Sequence, residues 1–404
     1  MRDKASLMYY CRNGEGAGHL RRALALAGEL AEQFQVTMLV SETLPTGLEV
    51  PASVDIVQLP KLDMDPEQRV VGVNRTQALR NRIIERRDII LNRFSRLKPR
   101  VVVVEKFPFG QHLLRGEILP MIERARYGVY GESLVVALTD GVIASDRPNR
   151  EQLEDRSAKL LNKYFDLVIV HSDPVFARLE EFFQPKNTID TPIYHTGFLV
   201  PGPANLVPAA GAGRNGILVS AGDGYCGGPL FRAAVEAQKT LWGTLGLPMR
   251  IVCGERLPDA EWQQLQAAGE GVPSLELRRS VPDMRAAIAS SNWSVSHCSY
   301  NTSINTIGSG TPALFVPCPD GHRLEQIIRA QRLVYWGAGR MLMPHHLNGA
   351  SLANEIHQLT KFKPRDMYFD FNGIKNAANL ISKVVYANSY APIAVRPSGE
   401  KRLH

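Results

Sequence analysis

Residues 293–318 read WSVSHCSYNTSINTIGSGTPALFVPC. The stretch divides into three pieces. Residues 293–299 (WSVSHCS) have the short, β-branched character of a strand, 302–309 carries helical spacing, and 312–318 (PALFVPC) is a second apolar strand. Gly308 and Gly310 suit the end of the helix and a tight return into the next strand. A strand, a helix and a second buried strand make a βαβ unit, and such units build parallel sheets covered by helices on both faces. The strand-to-helix junction at Ser299, Tyr300, Asn301 and Thr302 offers hydroxyls and unpaired N–H groups, a setting that can hold a diphosphate.

The same alternation extends in both directions. Towards the amino terminus lie GILVSAG (216–222), MRIVCG (249–254) and SLELRRS (274–280), separated by helical patterns at 229–243, 259–268 and 282–290; a further helix is expected at 323–335. The first half repeats the scheme with LMYYC (7–11), VTMLVS (36–41), VDIVQLP (54–60), VVVVE (101–105), LVVALTD (134–140), DLVIVHS (166–172) and IYHTG (193–197). Helices are predicted there at 18–34, 76–97, 115–126, 150–164 and 174–183. Residues 197–216 (GFLVPGPANLVPAAGAGRNG) interrupt the pattern with Gly, Pro and Ala and read as a linker. The chain therefore divides into a first α/β domain (1–198), a linker (199–215), a second α/β domain (216–373) and a last helix with a basic tail (374–404). Two doubly wound domains place a cleft between the carboxyl ends of two sheets, where ligands of such sheets bind.

Composition narrows the class. Of 404 residues 44% are hydrophobic and 22% charged, which excludes a largely disordered chain and a fibrous repeat. Cys11, Cys226, Cys253, Cys298 and Cys318 are scattered without a C-x-x-C pair, so reduced thiols are expected rather than a cysteine-built zinc site. No apolar run has bilayer-spanning length, and the opening MRDKASLMYYCRNGEG lacks an apolar core of signal-peptide length. The expected location is cytoplasmic.

The net charge of +7 is concentrated. Between Arg75 and Arg100 nine basic residues face only Glu85 and Asp88, and Leu79, Ile83, Ile84, Ile90, Leu91, Phe94 and Leu97 recur at helical spacing. This is a basic amphipathic helix. Either its arginines stay solvated over an apolar stripe packed on the sheet, the commoner arrangement, or the helix meets an anionic membrane surface at the inner face. No module for nucleic acid is present.

After the first strand comes R-N-G-E-G-A-G-H-L-R-R-A (12–23). Gly14, Gly16 and Gly18 permit a tight turn into a helix start, and His19 stands directly upon it. The spacing G-x-G-x-G-H differs from the dinucleotide fingerprint, and the second strand ends in Ser41 rather than an acid. His19 is the first candidate for a base. Asp140, ending VVALTD, and Glu105, ending VVVVE, are the carboxylate candidates; Lys106 beside Glu105 suggests an ion pair that would lower its basicity. In the second half, Ser220, Gly222, Asp223 and Gly224 open a turn able to form an anion nest.

Taken together these motifs resemble the GT-B glycosyltransferases, and family 28 in particular, whose best-known member adds N-acetylglucosamine to the lipid-linked peptidoglycan precursor. The segment Gly16–Ala23 is similar to that family's amino-terminal G-x-G-H-L-x-R-A turn. The chain is also similar to a group of bacterial predicted glycosyltransferases. It shares their Gly18-His19-Leu20-Arg21-Arg22 turn, Phe107-Pro108-Phe109-Gly110 with Arg115-Gly116-Glu117-Ile118-Leu119-Pro120, Tyr300-Asn301-Thr302, and Glu325 through Leu333. The resemblance implies two Rossmann-like domains facing a cleft and transfer of a hexose from a nucleotide-diphosphate donor, by default a UDP-sugar. That transfer would be inverting, metal-independent and without a cofactor beyond the donor itself, to a hydroxyl or amine of an acceptor that is a small molecule or a lipid-linked glycan.

It also implies a donor site from Gly18, Ser220, Gly222, Asp223, Gly224, Val281, His297, Ser299, Tyr300, Asn301, Thr302, Asn305, Glu325 and Gln326, with Val281 presenting main chain to the base. Where family 28 usually places a ribose-gripping glutamate this sequence has Asn305, and Ser299 replaces the usual glycine. A hydrolase or epimerase on the same scaffold, or a non-catalytic nucleotide-sugar-binding protein, are the alternatives. Asp63-Met64-Asp65 reads as a chance D-x-D match in a proline-flanked loop, and His171, His195, His345 and His346 lack metal spacing.

Overall fold

The computed structural model describes residues 4–12, 17–41, 44, 48–62, 75–128, 130–144, 149–202, 213–318 and 324–387. The first lobe comprises β1 (Ala5–Cys11), α1 (Ala17–Ala31), β2 (Phe34–Val40), β3 (Val54–Gln58), α2 (Arg75–Leu97), β4 (Val101–Glu105), α3 (Arg115–Arg126), β5 (Leu134–Asp140), α4 (Arg150–Tyr164), β6 (Leu167–His171) and β7 (Ile193–His195). The second comprises β8 (Ile217–Ser220), α5 (Gly228–Leu245), β9 (Met249–Val252), α6 (Asp259–Gly269), β10 (Leu275–Arg278), α7 (Met284–Ala289), β11 (Trp293–Ser296), α8 (Tyr300–Ser309), β12 (Ala313–Phe315), α9 (Leu324–Tyr335), β13 (Gly339–Met341) and α10 (Gly349–Thr360). The final helix, α11 (Gly373–Ala387), follows.

Among the described residues the strands form two parallel sheets, ordered β3-β2-β1-β4-β5-β6-β7 and β10-β9-β8-β11-β12-β13. This is the doubly wound architecture expected from the alternation. Parallel strands covered on both faces are apolar throughout, and Val101–Val104 and Leu167–Val170 are buried without interruption. In each sheet the order reverses beside the first strand, between β1 and β4 and between β8 and β11. The loops at these two points leave the strands in opposite directions and open a crevice.

One expected helix gives way to tertiary packing, and two further elements were not expected. Residues 174–183 do not form an α-helix; they make turns and one 3₁₀ turn at Leu179–Glu181. Phe176 packs into the seam between the lobes while Phe183 packs against β6 and α3, so one straight helix cannot serve both. β13 and α10 are elements the periodicity reading passed over. β13 is three residues long, below the length at which a pattern registers. α10 did carry a signal: Leu352, Ile356 and Leu359 at helical spacing behind the Asn348 cap.

The end of the chain returns to the start. α11 places Ala377, Ala378, Ile381 and Val385 in the same core as α1, β1 and β2. The two crossings between lobes are stitched side by side: Phe198 N–H donates to the Asp370 carbonyl (2.7 Å) and Gly373 N–H to the Phe198 carbonyl (3.1 Å). Gly197, at φ +86°, lets these strands approach, because a Cβ there would lie 2.6 Å from the Asp370 oxygen.

The basic helix is not a uniformly solvated face. Arg86 is fully buried and clasps Glu117 of α3 with two bonds of 2.7 Å. It also donates to Ser41 Oγ (2.8 Å) and the Pro60 carbonyl (2.7 Å), and Tyr10 donates to the same Glu117. Arg80, Arg82 and Arg96 are exposed. Among the described residues no helix is long and apolar enough to cross a membrane.

Candidate active site

Strand alternation in the first sheet brings four ionisable residues to one face. Leu7 and Tyr9, Val101 and Val103, Leu138, and Ile169 all pack beneath α1. Two residues further on, the same face carries Cys11, Glu105, Asp140 and His171, at the carboxyl ends of the neighbouring strands β1, β4, β5 and β6. α1 lays His19 and Arg22, one helical turn apart, over this row.

The result is a buried charge network. His19 is 3% exposed. Its Nε2 lies 3.3 Å from Glu105 Oε2 and 3.8 Å from Cys11 Sγ, and its Nδ1 lies 3.2 Å from Arg22 Nη2. Arg22 Nη2 also stands 3.2 Å from Asp140 Oδ1, a charge contact without hydrogen-bond alignment. Lys106 Nζ lies 3.7 Å from Asp140 Oδ2. The lysine therefore pairs with Asp140, not with its neighbour Glu105 as expected: Lys106 has φ +62°, a left-handed turn after the strand. Tyr9 donates to Glu105 Oε2 at 3.4 Å.

Burial alone would raise the Glu105 carboxyl, but the attraction and hydrogen bond of His19, then Arg22 and Cys11, bring it down to about 2. At Asp140 burial is likewise overcome by Arg22, Lys106 and Arg329, which hold the carboxyl well below the usual range. At His171 the uncharged form is favoured instead. Burial, reinforced by Arg22, pushes it down to about 4, and neither ring nitrogen has a hydrogen-bond partner. Metal spacing alone gave His171 no role; its signal is a polar residue ending the apolar strand next to VVALTD.

In the second lobe the loops after β8 and β11 are neighbours, and His297 N–H donates to the Ser220 carbonyl (3.1 Å). Gly222 and Gly224 adopt φ +64° and +94°, and a Cβ on Gly224 would lie 2.0 Å from the Cys253 oxygen. Asp223 does not point a free carboxylate at the crevice; it accepts from Tyr225 N–H (3.2 Å) and pairs with Arg256 (3.0 Å). Ser299 caps α8, its Oγ accepting from Thr302 N–H (3.3 Å) and lying 2.9 Å from Thr302 Oγ1. That cap leaves the first-turn N–H groups of Tyr300 and Asn301 at the helix mouth. Asn305 lies half-buried one turn on, and Val281 packs partly against Leu218, Val252 and Ile288. Glu325 stands half-buried in the first turn of α9.

Two residues expected to contact the donor have other side-chain duties. Tyr300 is 9% exposed; its hydroxyl accepts from Leu199 N–H (3.0 Å) and its ring packs against Phe198. Gln326 accepts from Cys318 N–H (3.1 Å) and is buried. Gly14, Gly16, Asp63, Asp65 and Asp320 lie outside the described residues.

The lobes meet where the two helix mouths converge. A Cβ on Gly18 of α1 would lie 2.7 Å from Asn301 Nδ2 of α8, and the Arg22 guanidinium sits 4.1 Å from the Tyr300 ring centroid. A small cavity beside this seam is lined by Gly141, Ser172, Phe198, Tyr300 and Arg329. Two positive helix ends meeting at one seam favour negative charge there. Cys11, His19 and Glu105 hold donor atoms within 4.8 Å of one another, the spacing of a three-donor cation site. The chemistry opposes that use. Arg22 Nη2, a donor only, faces His19 Nδ1 at 3.2 Å, whereas metal-bound histidines donate from their second nitrogen.

Residues 226–383 match the profile described as the glycosyltransferase family 28 C-terminal domain. An uncharacterized glycosyltransferase of Methanopyrus kandleri is 28% identical over 167 residues, 41% of this chain and 44% of that protein. The chain thus spans less than half the length of this curated relative. The structure is similar to CalG4, the calicheamicin glycosyltransferase (TM-score 0.61, 18% identity, 97% of this chain and 100% of that one). It is also similar to MurG of Acinetobacter baumannii (TM-score 0.57, 18% identity, 94% and 99%). These likenesses establish the GT-B fold.

Proposed function

We propose that this GT-B protein, whose second lobe carries the family 28 C-terminal domain, transfers a sugar from a nucleotide-diphosphate donor to an acceptor hydroxyl. One observation supports this above the others: the mouths of α1 and α8 converge at the facing switch points of the two sheets, with Gly18 against Asn301. The family match includes α8 at that meeting point.

In this reading the diphosphate rests against the N–H groups of Tyr300 and Asn301 and the glycine turn at 222–228. Ribose hydroxyls meet Asn305 and Glu325. UDP is the donor nucleotide by family resemblance, and transfer proceeds with inversion. The acceptor oxygen bonds to the anomeric carbon as the bond from that carbon to the diphosphate breaks. The acceptor's proton passes to His19, and the imidazolium formed is stabilised by Glu105, 3.3 Å away. Charge on the departing diphosphate is taken up by helix and loop N–H groups, so no metal enters these steps. The exposed Arg80, Arg82 and Arg96, with Ile84 at 46% exposure, form a contact for an anionic membrane surface at which a lipid-linked acceptor would be met.

The test is a panel of nucleotide sugars, read by thermal shift and by nucleotide release with and without acceptor alcohols. A shift with one donor and acceptor-dependent release are expected. Release at full rate without acceptor means hydrolysis, and no shift with any donor ends the reading. His19→Ala should bind the donor but lose about 10²–10⁴-fold in turnover; unchanged turnover removes His19 as the base.

A further inference from the structure

Arg22 joins three features: the His19 turn, the Asp140 carboxylate and the contact between the lobes. It is 2% exposed and lies one turn after His19 on α1. Its Nη2 reaches His19 Nδ1 and Asp140 Oδ1, both at 3.2 Å, and its guanidinium lies 4.1 Å from the centre of the Tyr300 ring, which belongs to the other lobe. Tyr300 is itself pinned at the crossing by Leu199 N–H.

A guanidinium has donors and no acceptor. Where it meets an imidazole nitrogen, that nitrogen must offer its lone pair. His19 Nδ1 is therefore the acceptor, and the ring's hydrogen sits on Nε2, where Glu105 Oε2 receives it at 3.3 Å. This leaves the ring well bonded but unable to take a proton from a substrate, because its one lone pair is covered.

We propose that Arg22 is a positioning residue that keeps His19 in its Nε2–H tautomer with Nδ1 covered, and that ties this state to the contact between the lobes. The tautomer half of the proposal is independent of the transferase reading; its consequence for turnover rests on that reading. A diphosphate entering between the mouths of α1 and α8 competes for the guanidinium. Drawn towards that anion, Arg22 uncovers Nδ1, so arrival of the donor and readiness of the base become one event. Asp140 keeps the cation near in the meantime, and Lys106 on the far oxygen of Asp140 moderates that hold.

The experiment is nitrogen-15 spectroscopy of the imidazoles in the full, unliganded chain at pH 7.5, with the His19 signals assigned by their loss in His19→Gln. The expected pattern is a neutral ring protonated at Nε2. A ring protonated at Nδ1, or at both nitrogens, overturns the proposal with no variant needed. Arg22→Met should shift His19 towards the Nδ1–H form or a mixture, whereas Arg22→Lys, still a donor only, should keep the wild-type pattern. An unchanged spectrum in folded Arg22→Met is the second refutation. Adding UDP should move the His19 signals; saturation with UDP that leaves them in place removes the coupling. With a donor that is turned over, Arg22→Met should lower kcat about 10²-fold and also raise KM for the donor, whose diphosphate loses the guanidinium; an unchanged kcat removes the positioning role. If no nucleotide sugar is turned over, the transferase reading fails while the tautomer result still stands or falls alone.

Discussion

His171 is enclosed at the end of β6 with neither ring nitrogen bonded, and it titrates near 4 rather than the usual 6.5. Between these values the unfolded chain holds the proton and the folded chain does not. Stability from this residue is complete above about 6.5 and is lost as pH falls towards 4. Glu105 acts lower down: its depressed carboxyl stabilises the fold above 4.5, and that contribution is lost as pH falls through about 2. The two windows overlap only between about 4 and 4.5, so they can be separated. Urea midpoints measured from pH 7.5 to 4.5 should fall with decreasing pH in the wild type and fall less in His171→Phe. Parallel profiles would mean that His171 is not held neutral.

At the scale of elements, α2 carries one arginine inside a core and others on its exposed surface. Arg86 and Glu117 form a fully buried pair, and removing one partner strands the other. Arg86→Met should cost about 3–5 kcal/mol by denaturant unfolding. Arg82→Ala, at an exposed pair with Glu85, should stay within about 0.5 kcal/mol. Equal effects at both sites would contradict this division. In the proposed reading the exposed arginines would meet an anionic membrane. In flotation with vesicles rich in anionic phospholipid, Arg80→Glu with Arg82→Glu should abolish binding that the wild type shows. Failure of the wild type itself to float discards the contact.

Over the whole molecule, the carboxyl-terminal helix belongs to the amino-terminal core. Ile381 is fully buried among α1 and β1 side chains, and Val385 nearly so, while Ser382 and Tyr386 bond to Gln33 at the turn before β2. A chain ending at residue 372 should therefore lose stability in its first lobe, although the deletion is distant in sequence. Hydrogen exchange would locate the loss in β1, β2 and α1; protection reduced only in the second lobe would refute it. Phe176, Phe198, Phe369 and Tyr300 fill the seam between the lobes with edge-to-face contacts, so separating the lobes exposes an aromatic cluster.

The alternation of apolar runs with 3.6-residue patterns determined, from sequence alone, two parallel sheets and nearly every strand within them. Parallel strands are apolar on both faces and their helices amphipathic, so each element is written locally. The turns at Gly18 and at Ser299–Thr302 were legible for the same reason: a helix start after a strand needs particular residues at particular places. Partnership was not written there. Lys106 is adjacent to Glu105 yet pairs with Asp140; Arg86 looks like its eight basic neighbours yet is the one at the centre of a core; Tyr300 sits in a binding motif yet holds the lobes together. These choices depend on which side chains long-range packing brings within a few ångströms and which it shields from water. Only the tertiary structure decides that, because the strength of a charge contact is set by distance and burial rather than by separation along the chain.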